Sequence, residues 1–358
     1  VLCREKGDIL EMKIGIIGGG MMGTCIGYYL SCLGAAVDIY EASPCLGGLA
    51  GSIPLEDGVS VDRYYHTILS SDRALIDLCK ALGLSQSLHF QETRTGFYTP
   101  AGQYSMNNII DFLTFPALSW VDRFRLGLTI VRAQLTRDWH SLEGTSVETW
   151  LCRWSGRQAF NQLWRPMLKA KFDGSFENTP ATYIWSRLVR MKSARGGAAQ
   201  KEMAGHLEGG YKTLAISLGA SIQSAGGSIY LNTPIDEVIV ENGCLSGLRV
   251  QGQKKDYDAV VATIPLPLFQ RILPANTSPA YQELLGRTRY MGVICPVMAV
   301  DRPLTGYWAL NIADDQVPFT GVIETTAYID PRYVGGYHLV YLPKYTSPEG
   351  EWYRMSDE

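Results

Sequence analysis

The sequence predicts an α/β fold in which one discontinuous domain, built on a parallel sheet, carries an inserted α+β domain. Three observations predict it. The β-branched run Lys13-Ile14-Gly15-Ile16-Ile17 leads directly into Gly18-Gly19-Gly20-Met21-Met22-Gly23, a GxGxxG turn that opens a proline-free helical stretch. A second apolar run, Ala36 to Tyr40, ends on the acid Glu41. Helix and strand patterns of the same kind return late in the chain, after a long stretch rich in Trp and Arg. The expected boundaries are 12–84 and 205–270 for the two parts of the first domain, and 85–204 and 271–358 for the two parts of the second.

Composition narrows the function classes. A chain of 358 residues is long enough for large cores, and 46% hydrophobic with 19% charged residues reads as packed rather than disordered. Lys and Arg number 32 against 35 Asp and Glu, a net charge of −3, so no broad attraction for nucleic acid is expected. The eight cysteines are scattered, with no CxxC pair and no histidines at zinc-ligand spacing. That usage fits reduced thiols in a cytosol and no metal site. No run approaches the ~18 apolar residues of a membrane span, and Arg4, Glu5, Lys6 and Asp8 are incompatible with a signal-peptide core. Met12 stands directly before the first strand, so residues 1–11 read as an extension ahead of the biological start.

The glycine turn has a physical task for each residue. Gly18 allows the tight turn, Gly20 lets backbone approach a pyrophosphate, and Gly23 lets the helix lie close to the strand. The helix that the glycines open, read over Thr24 to Leu33, contributes free N–H groups and its positive dipole end, an anion site that needs no lysine and that takes in Met21 and Met22 of the turn. GK[ST] is absent, so the turn is not a P-loop. Glu41 stands where a carboxylate accepts hydrogen bonds from ribose hydroxyls and disfavours a 2′-phosphate. Strand, turn, helix, strand and acid in this order define a Rossmann-like dinucleotide-binding unit. The competing reading is a structural glycine turn with a surface glutamate.

A second glycine cluster follows Glu41: Ala42-Ser43-Pro44-Cys45-Leu46-Gly47-Gly48-Leu49-Ala50-Gly51. A nicotinamide enzyme has no need of one there. With the first cluster it resembles the flavin amine oxidase superfamily, which includes protoporphyrinogen oxidases and phytoene desaturases. The match is specific over Met12 to about His66 and looser beyond. The resemblance implies an FAD-binding domain, with Ala42, Gly47, Gly48 and Leu49 near the pyrophosphate and ribityl region. Many members carry arginine where Cys45 stands here, so that basic contact is missing or is made by backbone. Residues Glu208 to Leu231 read as a helix and then a strand. Thr233 to Val240, a turn at Glu241-Asn242-Gly243, Leu245 to Val250 and Tyr257 to Pro265 follow as strands. In the family's order, Ile235 contributes backbone contacts to adenine and Ala262 and Thr263 end a strand beside the cofactor; the alternative is ordinary sheet residues.

The inserted domain opens with a hairpin expected at Gly96 to Tyr104 and continues as helices, assigned to substrate binding. Residues 109–135 mix apolar residues with Asp and Arg and read as an amphipathic helix pair, with core packing preferred over peripheral membrane-surface contact. Trp150, Trp154, Trp164, Trp185, Tyr183 and Phe172 are either core or the lining of an apolar pocket. Arg187 to Arg195 is either a solvated basic face or an attraction for an anionic substrate. Strands are expected at Val293 to Val300, Val317 to Ile329 and Tyr337 to Tyr341. The family ends with a glycine-containing segment that returns to the flavin domain. This chain stops at Glu358 without it and reads as truncated.

What the resemblance implies chemically is FAD-dependent two-electron dehydrogenation of a C–N or C–C bond in a small molecule, hydrophobic or anionic, with an acceptor the sequence leaves open. His66, one strand and turn beyond the second glycine cluster, is the candidate catalytic residue, against the alternative of a structural histidine. Lys169, Lys171 and Arg187 are weaker candidates for flavin or substrate contact. His89, His140, His206 and His338 stand isolated in sequence. Three other readings stay open: a redox-neutral flavoenzyme similar to the UDP-sugar mutases, a NAD-dependent dehydrogenase, and an inactive fragment.

Overall fold

A computed structural model describes residues 9, 12–55, 58–107, 111, 114–116, 118–193 and 202–355. The chain divides into two compact units, one formed by Val1–His66, Ile76–Leu88 and Leu207–Arg289, the other by Thr67–Leu75, His89–His206 and Tyr290–Glu358.

The first unit begins with strand β1 (Lys13–Ile17), helix α1 (Met21–Cys32) and strand β2 (Ala36–Tyr40), followed by a small antiparallel pair, β3 (Ser52–Pro54) and β4 (Ser60–Asp62). After the chain returns it adds helix α2 (Tyr211–Ser224) and strands β5 (Ser228–Tyr230), β6 (Ile235–Glu241), β7 (Cys244–Val250), β8 (Gln253–Asp256) and β9 (Ala259–Ala262). Strands β5, β2, β1 and β9 form, in that order, a wholly parallel sheet. The strand order therefore runs outward in both directions from β1, which places the end of β1 at a topological switch point.

Both faces of this sheet are covered, as a parallel sheet requires. Ile14, Ile16, Val37 and Ile39 form a core with Ile222 of α2, and the Cβ that Gly27 of α1 lacks would lie 2.8 Å from Ile39. On the opposite face Ile17 and Tyr40 pack with Ile235, Val238, Leu248, Val250 and Tyr257 of the antiparallel sheet β6–β7–β8 and its exit. The β6–β7 turn holds Asn242 and Gly243 at φ of +51° and +76°, the positive values that a tight hairpin needs. Between the layers a polar chain runs from Tyr40 through the Tyr257 hydroxyl, 2.6 Å away, to Asp38 at 2.7 Å. Burial and that neighbouring carboxylate hold the Tyr257 phenol protonated far above its usual range.

The second unit has a six-stranded sheet in the order Val297–Val300, His338–Tyr341, Gly321–Glu324, Ala309–Ile312, Thr95–Thr99, Gly102–Ser105. Only the Ala309–Ile312/Thr95–Thr99 pair is parallel, and the last two strands are the expected hairpin. Its helices include Trp120–Leu135, Val147–Ser155 and Thr182–Ser193. Trp150 and Trp164 are buried in their core, with Trp154, Trp185, Tyr183 and Phe172 packed against it. The Trp164 indole donates to Ser155 Oγ and that of Trp185 to the Ala133 carbonyl. This is the core alternative for the aromatic cluster.

Three expectations change. The helix Trp120–Leu135 buries one face, with Ile130 packed against the same core, and six further large apolar residues of this helix are exposed rather than core. His89 and His206 are not isolated, because their rings lie 5.4 Å apart and 6.0 and 5.7 Å from Tyr333. Among the described residues six cysteines are free thiols, but Cys244 is disulfide-bonded, so not every cysteine is reduced. Of the expected helix pair, residues 109, 110, 112, 113 and 117 lie outside the described residues, as do Ala194 and Arg195 of the basic stretch. Among the described residues no helix is long and apolar enough to cross a membrane, and no His, Cys, Asp and Glu cluster is placed to hold a metal ion.

Candidate cofactor-binding site

At the end of β1 the chain turns on Gly18, whose φ is +103° and whose N–H donates to the Tyr40 carbonyl at 2.8 Å. The turn is clamped from the residue that follows β9, where the Thr263 hydroxyl donates to the carbonyls of Ile17 and Gly18 at 3.0 and 3.1 Å. Helix α1 then starts at Met21, with Gly20 as its N-cap, no capping side chain and no acid in its first turn. The Thr24 N–H is bonded back to Gly20 O at 3.0 Å, so the N–H groups of Met21, Met22 and Gly23 precede the helix's own ladder. They form the positive end of the helix dipole.

The three motif glycines differ in what surrounds them. A Cβ on Gly18 would lie 2.9 Å from Thr263 Oγ1, and one on Gly23 would lie 1.9 Å from the Gly18 carbonyl oxygen. A Cβ on Gly20, whose φ is −68°, would meet only Gly48 Cα at 3.9 Å. The fold itself therefore requires glycine at 18 and 23 but leaves room at 20. The open backbone at Gly20, beside unpaired helix N–H groups, is a cradle of the kind that a pyrophosphate fills.

The second glycine cluster is tied directly to the first. Gly47, at φ +114°, donates its N–H to the Gly19 carbonyl at 2.9 Å, and Gly20 and Gly47 form a parallel bridge. Gly48 approaches so closely that its Cβ would lie 3.1 Å from Gly20 Cα. Leu49 and Met22, next to this open backbone, are 72% and 66% exposed. Leu46 packs under it, since a Cβ on Gly19 would touch its Cδ2 at 2.7 Å.

Glu41 completes the cluster. One of its carboxylate oxygens accepts the Gly19 N–H at 2.6 Å and the other the Ser43 N–H at 2.8 Å. A carboxylate has about four lone-pair sites, so two backbone bonds leave acceptor capacity for hydroxyls. Its backbone is held by the returning half of the unit, through Tyr230 O and the Thr233 N–H, both at 2.9 Å. Ala42 follows it, exposed. Ala262 is paired with Ile17 at the end of β9, and Ile235 packs against Ile17 and Tyr40. All the expected cofactor positions from Gly18 to Leu49 thus fall on one connected backbone cluster.

His66 has different partners. Its Nδ1 lies 2.9 Å from the Tyr64 carbonyl, and its ring centroid is 5.3 Å from that of Tyr211. Burial lowers its pKa, so the imidazole is neutral at pH 7, and donation from Nδ1 to that carbonyl leaves Nε2 as an acceptor. Asp62, four residues earlier, was not singled out by sequence. Its Oδ1 accepts the N–H of Tyr211, the first residue of α2, at 3.0 Å, and burial pushes its carboxyl up to about 6. Gly210 makes the approach possible, since its φ is +74° and a Cβ would lie 2.4 Å from that oxygen. In the second unit, Lys169 pairs with Asp315 at 2.7 Å, Lys171 lies 3.3 Å over the Tyr345 ring and Arg187 4.8 Å over Tyr183. Arg190 pairs with Asp72 at 3.0 Å.

A glycine turn at the switch point of a parallel sheet, joined to a second glycine turn and covered by an antiparallel layer, is the fold of the flavin amine oxidases. The chain belongs to the flavin containing amine oxidoreductase family, whose model matches residues 23–355. Among curated proteins it is similar to the 15-cis-phytoene desaturase of Synechococcus elongatus, 23% identical over 304 residues, 77% of this chain and 63% of that one. It is also similar to a zeta-carotene desaturase of Capsicum annuum, 24% identical over 339 residues, 85% of this chain and 56% of that one. The chain thus spans less than two thirds of either relative. Among solved structures, an oxidoreductase from Methanosarcina mazei superposes with a TM-score of 0.76 at 20% identity, covering 96% of this chain and 81% of that one. A reduced UDP-galactopyranose mutase does so with 0.71 at 18%, covering 94% and 75%.

Proposed function

We propose that this protein is an FAD-dependent oxidoreductase that removes two electrons from a C–C or C–N bond of a small molecule. The observation that carries the reading is the open backbone at Gly20, set between two glycines that the fold itself requires and bonded to the second glycine turn. The N–H groups of Met21 and Met22 would hold the pyrophosphate, with Gly18, Gly20 and Gly23 shaping its approach. Glu41 would accept from the ribose hydroxyls, Ala42, Gly47, Gly48 and Leu49 would flank the cofactor, and Ile235 and Ala262 would border it. Bound FAD supplies a two-electron acceptor at N5. The protein's own task is to place the donor carbon, exclude water and accept the proton that leaves with the hydride. Neutral His66 is our candidate for that acceptor. The names of the curated desaturases favour the C–C branch and an apolar substrate.

The likeness to a UDP-galactopyranose mutase supports a second reading, in which reduced flavin acts with no net oxidation and Arg187 meets an anionic substrate. The deciding measurement is an absorbance spectrum of the purified chain before and after FAD addition, followed by mass analysis of released cofactor. Bands at roughly 375 and 450 nm are expected of an oxidised flavin. A colourless chain that takes up no FAD defeats both flavin readings. Turnover that needs prior flavin reduction but no acceptor favours the mutase type.

A further inference from the structure

The helix Trp120–Leu135 of the second unit is apolar on two opposite sides. Asp122, Leu126, Thr129 and Ala133 form its buried face, spaced at i, i+4, i+7 and i+11. That face is fixed by Thr129 Oγ1 to Ser155 Oγ at 2.9 Å and by the Trp185 indole, which donates to Ala133 O at 2.9 Å. The other side carries Trp120, Val121, Phe124, Leu128, Val131 and Leu135, exposed by 72, 67, 68, 43, 53 and 68%. At ~100° per residue these six fall within an arc of ~100°, on the side away from the buried four. Single exposed apolar residues are ordinary on any protein, but a continuous stripe of six large ones along four helical turns marks an interaction surface.

The edges of the stripe are basic. By the same helical spacing Arg132 lies along one edge and Arg123 along the other, while Arg125, beside Arg132, is turned into the protein and donates to the Arg153 and Trp154 carbonyls at 3.0 and 3.4 Å. Arg123 stands 4.8 Å over the Trp120 ring and Arg132 5.3 Å over that of Trp154, where Arg153 is also stacked at 5.7 Å. The helix has three arginines and one acid, Asp122, which is buried and bonded to Ser119. The chain as a whole has a charge of −3, so this face is locally opposite in sign to the protein.

We infer that this face docks on the surface of an anionic lipid bilayer, with the six apolar side chains at the acyl boundary and the exposed Arg132 and Arg153 among the lipid phosphates. A second copy fits the same surface less well. Isologous pairing would set the arginine-edged stripe against itself and bring like charges together. An apolar stripe with arginine edges and an indole at its end is complementary to a headgroup layer instead. The inference is independent of the flavin reading, since it uses only this helix and its packing.

Vesicle flotation of the full chain tests it, comparing phosphatidylcholine alone with phosphatidylcholine containing about a third phosphatidylglycerol. The chain is expected to float with the anionic vesicles, to be released by high salt, and to show a blue-shifted tryptophan emission when bound. Phe124→Glu with Val131→Glu should lower the partition coefficient by about tenfold or more while the melting temperature stays unchanged, because both side chains are exposed. Failure of the unmodified chain to float with anionic vesicles overturns the proposal, as does equal flotation of the double variant. A dimer in sedimentation velocity that the double variant dissolves assigns the face to a second copy and also overturns it.

Discussion

Gly23 lies so close to Gly18 that a Cβ on it would stand 1.9 Å from the Gly18 carbonyl oxygen. The contact presses the first turn of α1 against the end of β1, which aims the helix N-terminus at the space above the turn. At Gly20 nothing comparable exists, since an added Cβ would meet only Gly48 Cα at 3.9 Å. Two glycines of one motif are thus held by different constraints, and substitution separates them.

Gly23→Ala is expected to lower stability by about 1–3 kcal/mol, the usual cost of overpacking where backbone must move. Gly20→Ala is expected to melt within about 1 kcal/mol of the unsubstituted chain, a cost typical of losing a glycine N-cap, yet to lose most of its FAD uptake. Melting curves with and without FAD read both effects. Normal FAD affinity in Gly20→Ala would remove the pyrophosphate from this position.

The Glu41 carboxylate is already bonded to the Gly19 and Ser43 N–H groups, so the proposed ribose contact would be its second task. Glu41→Gln presents an amide to one of those donors and should cost on the order of 1–2 kcal/mol in the apo chain. FAD affinity, read by titration calorimetry, should fall by about tenfold in addition, as for the loss of one charge-assisted bond. A loss of stability with unchanged affinity would leave Glu41 as a brace for the turn alone.

The glycine turn and its acid were legible because each depends on neighbours in the chain. Strand periodicity, Gly18, Gly20, Gly23 and Glu41 lie within about thirty residues, the usual extent of such a unit. The clamp on that turn was less legible. Thr263 was expected near the strand end, but its bonds to Ile17 and Gly18 join residues some 245 positions apart. Asp62 meets Tyr211 across 149 residues, and no local pattern announces it. The helix Trp120–Leu135 shows a different limit. Its apolar residues occupy both faces, and periodicity does not say which face the rest of the protein covers.

His66 should act as a base in its neutral form. Burial holds its pKa below the ordinary 6.5, so kcat/KM should rise with pH through an acid limb below that value and stay flat through pH 7. His66→Asn is expected to lower turnover by about a hundredfold or more, as for loss of a positioned base, with flavin content intact. An unchanged acid limb in the variant would return His66 to a structural role, bonded to Tyr64 O.

Asp62 gives a stability test with a definite sign. Its folded value of about 6 lies above the ordinary 3.8, because burial outweighs the bond from the Tyr211 N–H. Below pH 4 the group is protonated in both the folded and the unfolded chain. Between pH 4 and 6 the unfolded chain releases the proton while the folded chain keeps it, so stability falls as pH rises through this window and levels off above it. The loss is on the order of 2 kcal/mol. Asp62→Asn retains an oxygen for the Tyr211 N–H and carries no charge, so its melting temperature should exceed that of the unsubstituted chain by a margin that opens from pH 4 to pH 7. A margin that is constant, or that closes as pH rises, would mean that the carboxylate is stabilised in its ionised form. The helix N-terminus at Tyr211 would then outweigh burial at this position.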